Sequence, residues 1–418
     1  MKQIAMAMAL LAALAGMALA QEGPVPKGIP HLDHAFVIMM ENHGYAQIMG
    51  NPFAPFINSY AQTANLATNY FAVAHPSLTN YLETVGGSNF GVLSDNSPDW
   101  HDLSCATNLS TGIANTDNPP SPNICPIAGS GTDAATPLLD CSNEVTGPPC
   151  EIEIDDVHQY AANPSTLGIT IAEQLAAANK TWKTYQENLP QTGPDLVDYS
   201  DGNFTNNTDF TAMNAVLTAA GAQPLSTSEI VQLYASKHNP FVYFQDVQQG
   251  TNPMVSYAQM AGFDGVGGLW NDLVNGKAPS FSFIVPNQCN DQHGRGNGTP
   301  FCNYDPNDNG TQAGLNPALI TLGDQAVQKI VTAIRNSPVW KKGNNAIVVI
   351  WDENDYSVQP VVNHVVAIVD TNYGSRPLSS NAFYDHFSLL RSLEAGFGLP
   401  CLNNACSAQP MTDLFAKH

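Results

Sequence analysis

Positive charge is scarce in this 418-residue chain: 14 lysines and arginines face 36 aspartates and glutamates, for a formal net charge of −22. Nucleic acid and anionic membrane surfaces are held by clustered Lys and Arg, so neither is expected as a partner. Charge of either sign is thin at 12% of residues. Asn, Gly, Pro, Ser and Thr fill its place, which suits a loop-rich extracellular chain. There are eight cysteines, but none in C-x-x-C spacing, which argues against a thiolate zinc site. In an exported chain they are expected as disulfides, and short loops favour Cys105–Cys125, Cys141–Cys150, Cys289–Cys302 and Cys401–Cys406. No internal repeat and no interdomain linker stand out.

Long apolar runs are missing beyond the N-terminus. There, Lys2 precedes an apolar stretch from Ala5 to Leu19, and Ala18-Leu19-Ala20 forms a small-x-small cleavage site. A bilayer span needs about 20 residues, so residues 1–20 read as a signal peptide. Residues 21–418 are then one domain, secreted or periplasmic, without stable membrane insertion.

Strands are expected at His34–Met40, Thr68–Val73, Thr181–Tyr185, Ser280–Val285, around Ile347 and at Val365–Val369. Helices are expected at Ile57–Ala67, His75–Val85, Ile169–Ala178, Leu322–Asn336 and Phe387–Phe397. Their alternation predicts a three-layer α/β/α sandwich around a mostly parallel sheet, with disulfide-stapled loop insertions. The largest insertion, about 89–156, carries four of the cysteines and no sustained period.

Two apolar runs end in hard oxygen donors. Val37-Ile38-Met39-Met40 runs into Glu41-Asn42, and Ala346 through Trp351 runs into Asp352-Glu353. Ligands of open parallel sheets bind beyond the carboxyl ends of the strands. Glu41, Asn42, Asp352 and Glu353 are therefore candidate ligands of one divalent ion, and all-oxygen ligation points to Mg, Ca, Mn or Zn. Ser77 stands at a strand-to-helix turn, where a hydroxyl can act as a nucleophile or simply cap the helix. Asn80, one turn on, can donate to a phosphoryl oxygen. His293, His364 and His386 are each candidate ligands, phosphate donors or leaving-group acids. His386 can equally cap the last helix, and His43 and His75 can be supporting or structural.

Taken together, Met40-Glu41-Asn42-His43, Ala74 through Leu82, Val285-Pro286-Asn287 through His293, Trp351 through Asp355, Asn363-His364-Val365 and Tyr384 through Arg391 resemble, in order, a known family. This is the phosphoesterase family of secreted acid phosphatases and bacterial phospholipases C, within the alkaline-phosphatase superfamily. The resemblance spans most of the mature chain. It implies an α/β/α sandwich, a metal held by Glu41, Asn42, Asp352 and Glu353 or close neighbours, and Ser77 in the nucleophile position. The working set is then Ser77, His293, His364 and His386 as catalytic residues, with Asn80, His75 and Asp291 binding substrate.

The expected activity is hydrolysis of phosphate monoesters through a phosphoserine, as in an acid phosphatase. Cleavage of a phospholipid headgroup by a phospholipase C-type diesterase is the alternative, and an inactive extracellular binding protein of the same fold is a second. A sulfatase is excluded, because Thr79 and Tyr81 stand where its modification context needs Pro and Arg. If a histidine must be protonated to assist the leaving group, activity should fall above about pH 6.5, giving an optimum on the acid side of neutrality.

Overall fold

The computed structural model describes residues 28–90, 95, 98, 169–189, 233–295, 302–354, 363–374 and 377–416. The expected signal peptide, most of the 89–156 insertion, and Cys105, Cys125, Cys141 and Cys150 lie outside the described residues.

The chain runs in order through β1 (His34–Met40), α1 (Pro55–Thr63), β2 (Asn65–Phe71), α2 (Ser77–Gly86), α3 (Ile171–Ala177), β3 (Trp182–Gln186), β4 (Met260–Ala261), β5 (Phe281–Val285), α4 (Pro317–Asn336), β6 (Asn345–Trp351), β7 (His364–Thr371), β8 (Ser379–Ser380), β9 (Tyr384–Asp385) and α5 (His386–Phe397), with shorter helical turns between them. The strands form one sheet in the order β4-β3-β5-β1-β6-β7-β2-β8, with β9 beside β2. Among the described strands only β7 is reversed, antiparallel to both β6 and β2.

Every residue of β5 and β6 is buried, as is all of β1 except His34 and all of β7 except His364. Strands buried on both faces need cover on both sides, which is why they read as unbroken apolar runs. Helix α2 packs against α5, and α1 against α4. No helix among the described residues is long and apolar enough to cross a membrane.

Several boundaries differ from the periodic reading. The helix expected at Ile57–Ala67 is α1, which starts at Pro55 and ends at Thr63. Proline suits a first helical position because its fixed φ is already helical and its missing N–H is not needed there. Asn65, Leu66 and Ala67 belong instead to β2, paired with Val369, Ile368 and Ala367 of β7. Helix α4 begins at Pro317 rather than Leu322, because the Asn316 side chain accepts the Ala318 N–H and caps it. Asp385, not His386, caps α5 by accepting the Ser388 N–H at 2.8 Å. Gly87 closes α2 with φ 69°, and a Cβ there would stand 2.5 Å from the Leu402 carbonyl oxygen. The disulfides Cys289–Cys302 and Cys401–Cys406 are present as expected.

Buried carboxyls remote from the sheet edge tie stability to pH. Burial lifts Glu394 to about 9 against the opposing Leu402 N–H and Arg391. Burial and Asp246 lift Glu173 to about 8. Both hold their protons in the fold, whereas in the unfolded chain they ionise near 4.5. Their stabilising contribution is therefore complete below that value and lost as pH rises through the folded values. The melting temperature should fall between about pH 5 and about pH 9. Glu394→Gln, which keeps the shape without an ionisable group, should show a shallower fall in thermal melts, and an identical slope would contradict this.

Candidate active site

Strand register builds the first half of the site. Met40 of β1 lies opposite Trp351 of β6, so the next residues, Glu41 and Asp352, leave the sheet side by side. Asp352 N–H still donates to Met40 O at 2.9 Å, and Glu41 N–H donates to Asp291 O at 2.9 Å. The loop after β5, on the other side of β1, thus reaches the same edge. The chain turns at Asn42 with φ 55°, a left-handed conformation that Asn tolerates better than most residues. That turn aims the Asn42 N–H at Asp352 Oδ1, 3.1 Å away.

The second half comes from the segment between β2 and α2. Ser77 opens α2 with its Oγ 3.1 Å from Glu353 Oε1 and 3.3 Å from Glu41 Oε2. One hydroxyl proton serves one of these carboxylates at a time. The other Glu353 oxygen lies 2.8 Å from His75 Nδ1 and 3.1 Å from Asn80 Nδ2. Asn80 also accepts from the Val73 and Ala74 N–H groups and donates to Ala74 O. Its amide hydrogens are both engaged, so it meets the cluster through Glu353. Two of the N–H groups that open α2 are committed as well: Leu78 N–H to Asp95 Oδ1 at 3.1 Å, and Thr79 N–H to Pro76 O at 3.1 Å.

The expected residues therefore separate by place. Glu41, Ser77, Asn80, His75, Asp291, Asp352, Glu353 and His293 converge on this edge. Asn42 reaches it through its backbone. His386 lies beneath it, with Nε2 2.7 Å from the Asp352 carbonyl oxygen and Nδ1 2.9 Å from the Tyr70 hydroxyl. His364 stands apart: it stacks on Tyr45 at 4.6 Å, and its Nε2 meets Thr68 O. His43 bridges Glu41 O and Asp305.

Sequence reasoning missed His238, Lys237, Tyr81 and Asp95. His238 places Nε2 3.2 Å from Glu41 Oε1 and Nδ1 3.3 Å from Asp291 Oδ2. Tyr81 donates its hydroxyl to Glu41 Oε1 and stacks on His238 with ring centres 5.3 Å apart. The one available signal was Lys237-His238 immediately before the aromatic run Phe241–Phe244.

Burial and mutual repulsion make the cluster a candidate cation site. Burial first, then repulsion from Asp352 and Asp291, pushes Glu41 well above the usual carboxylate range. Burial likewise raises Asp291 and Asp352, and Glu353 adds to the rise at Asp352. His238 Nε2 and Asp291 Oδ2 are buried with no hydrogen bond of good geometry beyond the close approaches just given. Glu41, His238 and His293 each offer a ligand atom, all within 4.8 Å of one another. Oxygen and imidazole donors together suit a divalent ion of Zn or Mn type. Burial holds His238 well below its ordinary value, in the neutral form that ligates metals.

The same effect acts on the three histidines expected as leaving-group acids. Burial lowers His293 to about 3 and His386 to about 4, and it lowers His364 as well. Burial thus works against the imidazolium form at each of the three.

The Tyr81 hydroxyl and ring orient two donors of the cluster. Tyr81→Phe should weaken binding of Mn or Zn by about 10- to 100-fold. Calorimetric titration of chelator-stripped protein checks it, and unchanged affinity would remove Tyr81 from the site.

Comparison with known proteins places the chain among phosphoesterases. The phosphoesterase family model matches residues 52–301. A phosphatidylinositol-3-phosphatase of Mycobacterium tuberculosis is 24% identical over 98% of this chain and 91% of its own. An acid phosphatase of Aspergillus fumigatus is 22% identical over 88% of this chain, which spans only 55% of that protein. Among solved structures, a protein of the alkaline phosphatase superfamily from Vibrio parahaemolyticus aligns over 93% of this chain and 71% of its own, at 13% identity and a TM-score of 0.45. With the family model covering more than half of its length, this chain belongs to the phosphoesterase family.

Proposed function

We propose that the protein is a metal-dependent phosphomonoesterase of the acid-phosphatase type, with Ser77 as nucleophile. The observation that carries this reading is the Ser77 hydroxyl at the start of α2, hydrogen-bonded to Glu353 at the rim of a buried carboxylate–imidazole cluster. Glu353 takes the hydroxyl proton as Oγ bonds to phosphorus. The ester P–O bond breaks and its oxygen leaves as the alcohol with a proton from solvent; water then attacks phosphorus, Glu353 returns its proton to Oγ, and phosphate is released. His75 and Asn80 hold the far oxygen of Glu353, which keeps its near oxygen on Ser77. Glu41, Asp291, Asp352, His238 and His293 would hold the ion, which supplies Lewis-acid stabilisation of phosphoryl charge.

The M. tuberculosis relative, matched over nearly its whole length, is named for a phosphatase acting on a phosphorylated inositol lipid. A monoester on a lipid headgroup is therefore the second substrate class to test, and it uses the same chemistry on the same atoms. The two disulfides support operation outside a reducing compartment.

Turnover of p-nitrophenyl phosphate should be lost on chelation and restored by a divalent ion. Ser77→Ala should lower kcat by about 10³-fold or more while leaving metal content intact. Activity within about tenfold of wild type, a barrier change of only about 1.4 kcal/mol, would sink the assignment. Parallel assays on phosphatidylinositol 3-phosphate and on a phosphodiester decide between headgroup dephosphorylation and headgroup cleavage.

A further inference from the structure

Lys237 takes no part in the steps above, yet its side chain is buried beside them, only 5% exposed. Its Nζ lies 2.7 Å from Asp95 Oδ2 and 3.1 Å from His293 Nε2. The other Asp95 oxygen accepts the N–H of Leu78, the residue after Ser77. Asp95 thus clamps the ammonium against the first turn of α2. His293 Nδ1 faces the Gly294 carbonyl at 2.6 Å, which leaves Nε2 as the acceptor turned toward Lys237.

This arrangement bears on a question that the nucleophile alone leaves open. A phosphoryl group on Ser77 spreads negative charge over its equatorial oxygens. It must do so beside Glu41, Asp291, Asp352 and Glu353. Helix starts commonly supply backbone N–H groups for this purpose, but Leu78 and Thr79 have theirs committed to Asp95 and Pro76. Asn80 has both amide hydrogens on Ala74 O and Glu353. A compact ammonium is a point charge suited to phosphate, and the charge of Lys237 is already felt at Glu41 and Asp291. An ammonium and a divalent ion cannot share the His293 lone pair, but the Lys237–Asp95 pair does not depend on it.

We propose that Lys237 is a further substrate-contacting residue, its ammonium binding a phosphoryl oxygen, and that Asp95 is the positioning residue that holds it beside Ser77. The inference rests on the phosphoesterase reading of the site but not on the identity of the nucleophile. A purely structural salt bridge between residues 95 and 237 is the rival account.

The experiment measures binding of inorganic phosphate to the full-length, metal-loaded protein, together with kcat and KM on p-nitrophenyl phosphate. Lys237→Met should weaken phosphate binding by about 10- to 100-fold, the range of one charge-assisted hydrogen bond, with metal content unchanged. Lys237→Arg should recover part of it, and Asp95→Asn should fall between wild type and Lys237→Met. If Lys237→Met leaves Asp95 unpaired and fails to fold, the double variant Lys237→Met/Asp95→Asn removes both charges together. A folded, metal-loaded double variant with wild-type phosphate affinity would overturn the proposal, as would a wild-type protein that does not bind phosphate. An active Ser77→Ala variant would instead defeat the nucleophile assignment while the phosphate measurements still judge Lys237.

Discussion

The parallel pairing of β1 with β6 is the constraint on which the rest of the site depends. Its register carries Glu41 and Asp352 out of the sheet next to one another, and the loop after β5 adds Asp291 from the other flank. These carboxyls are buried, so solvent cannot screen them. Two like charges about 4 Å apart repel by about 4 kcal/mol at an effective dielectric of about 20. A few such pairs would consume the whole of a domain's net stability, about 5–15 kcal/mol. The cluster therefore needs either protons or a cation, and Glu41, His238 and His293 are donors that could hold one.

A division of labour follows from which strand supplies which residue. Adjacent parallel strands with short exits supply the carboxylate side, so Glu41, Asp291 and Asp352 are placed by sheet geometry. The Ser77 side comes from β2, which β7 separates from β6, and it needs its own scaffold. Asn80 satisfies the N–H groups of Val73 and Ala74, and Asn363 donates to Ala74 O while accepting from Asn354 N–H. Amide side chains there replace the ladder that a neighbouring parallel strand would have provided. Glu353 joins the two sides, since it follows Asp352 in sequence yet bonds to Ser77, His75 and Asn80.

Supporting elements keep these placements rigid. The Cys289–Cys302 bridge anchors the segment that carries Asp291 and His293. Trp351 donates its indole N–H to Gln292 at 2.9 Å, tying the end of β6 to that same segment. His386, neutral and doubly hydrogen-bonded, supports the backbone of Asp352 from below. Each contact lies one step from a cluster residue and limits how far that residue can drift.

Much of the fold was legible in the order of residues. Runs such as Ala346–Trp351 read as strands covered on both faces, and their abrupt ends in acidic residues mark the sheet edge where ligands gather. Ser77 with Asn80, and Gly87 as a stop, were equally visible as local helix signals. Boundaries near Ala64 and Leu322 were not, because β pairing and side-chain caps override a weak apolar period. Nor were His238, Lys237, Tyr81 and Asp95, whose partners lie 17 or more residues away in sequence. Local sequence determines which segments become strands and where each ends, because burial and backbone propensity act over a few residues. Only the tertiary structure decides which ends meet, and whether a buried histidine carries a proton, because strand register and desolvation are properties of the assembled fold.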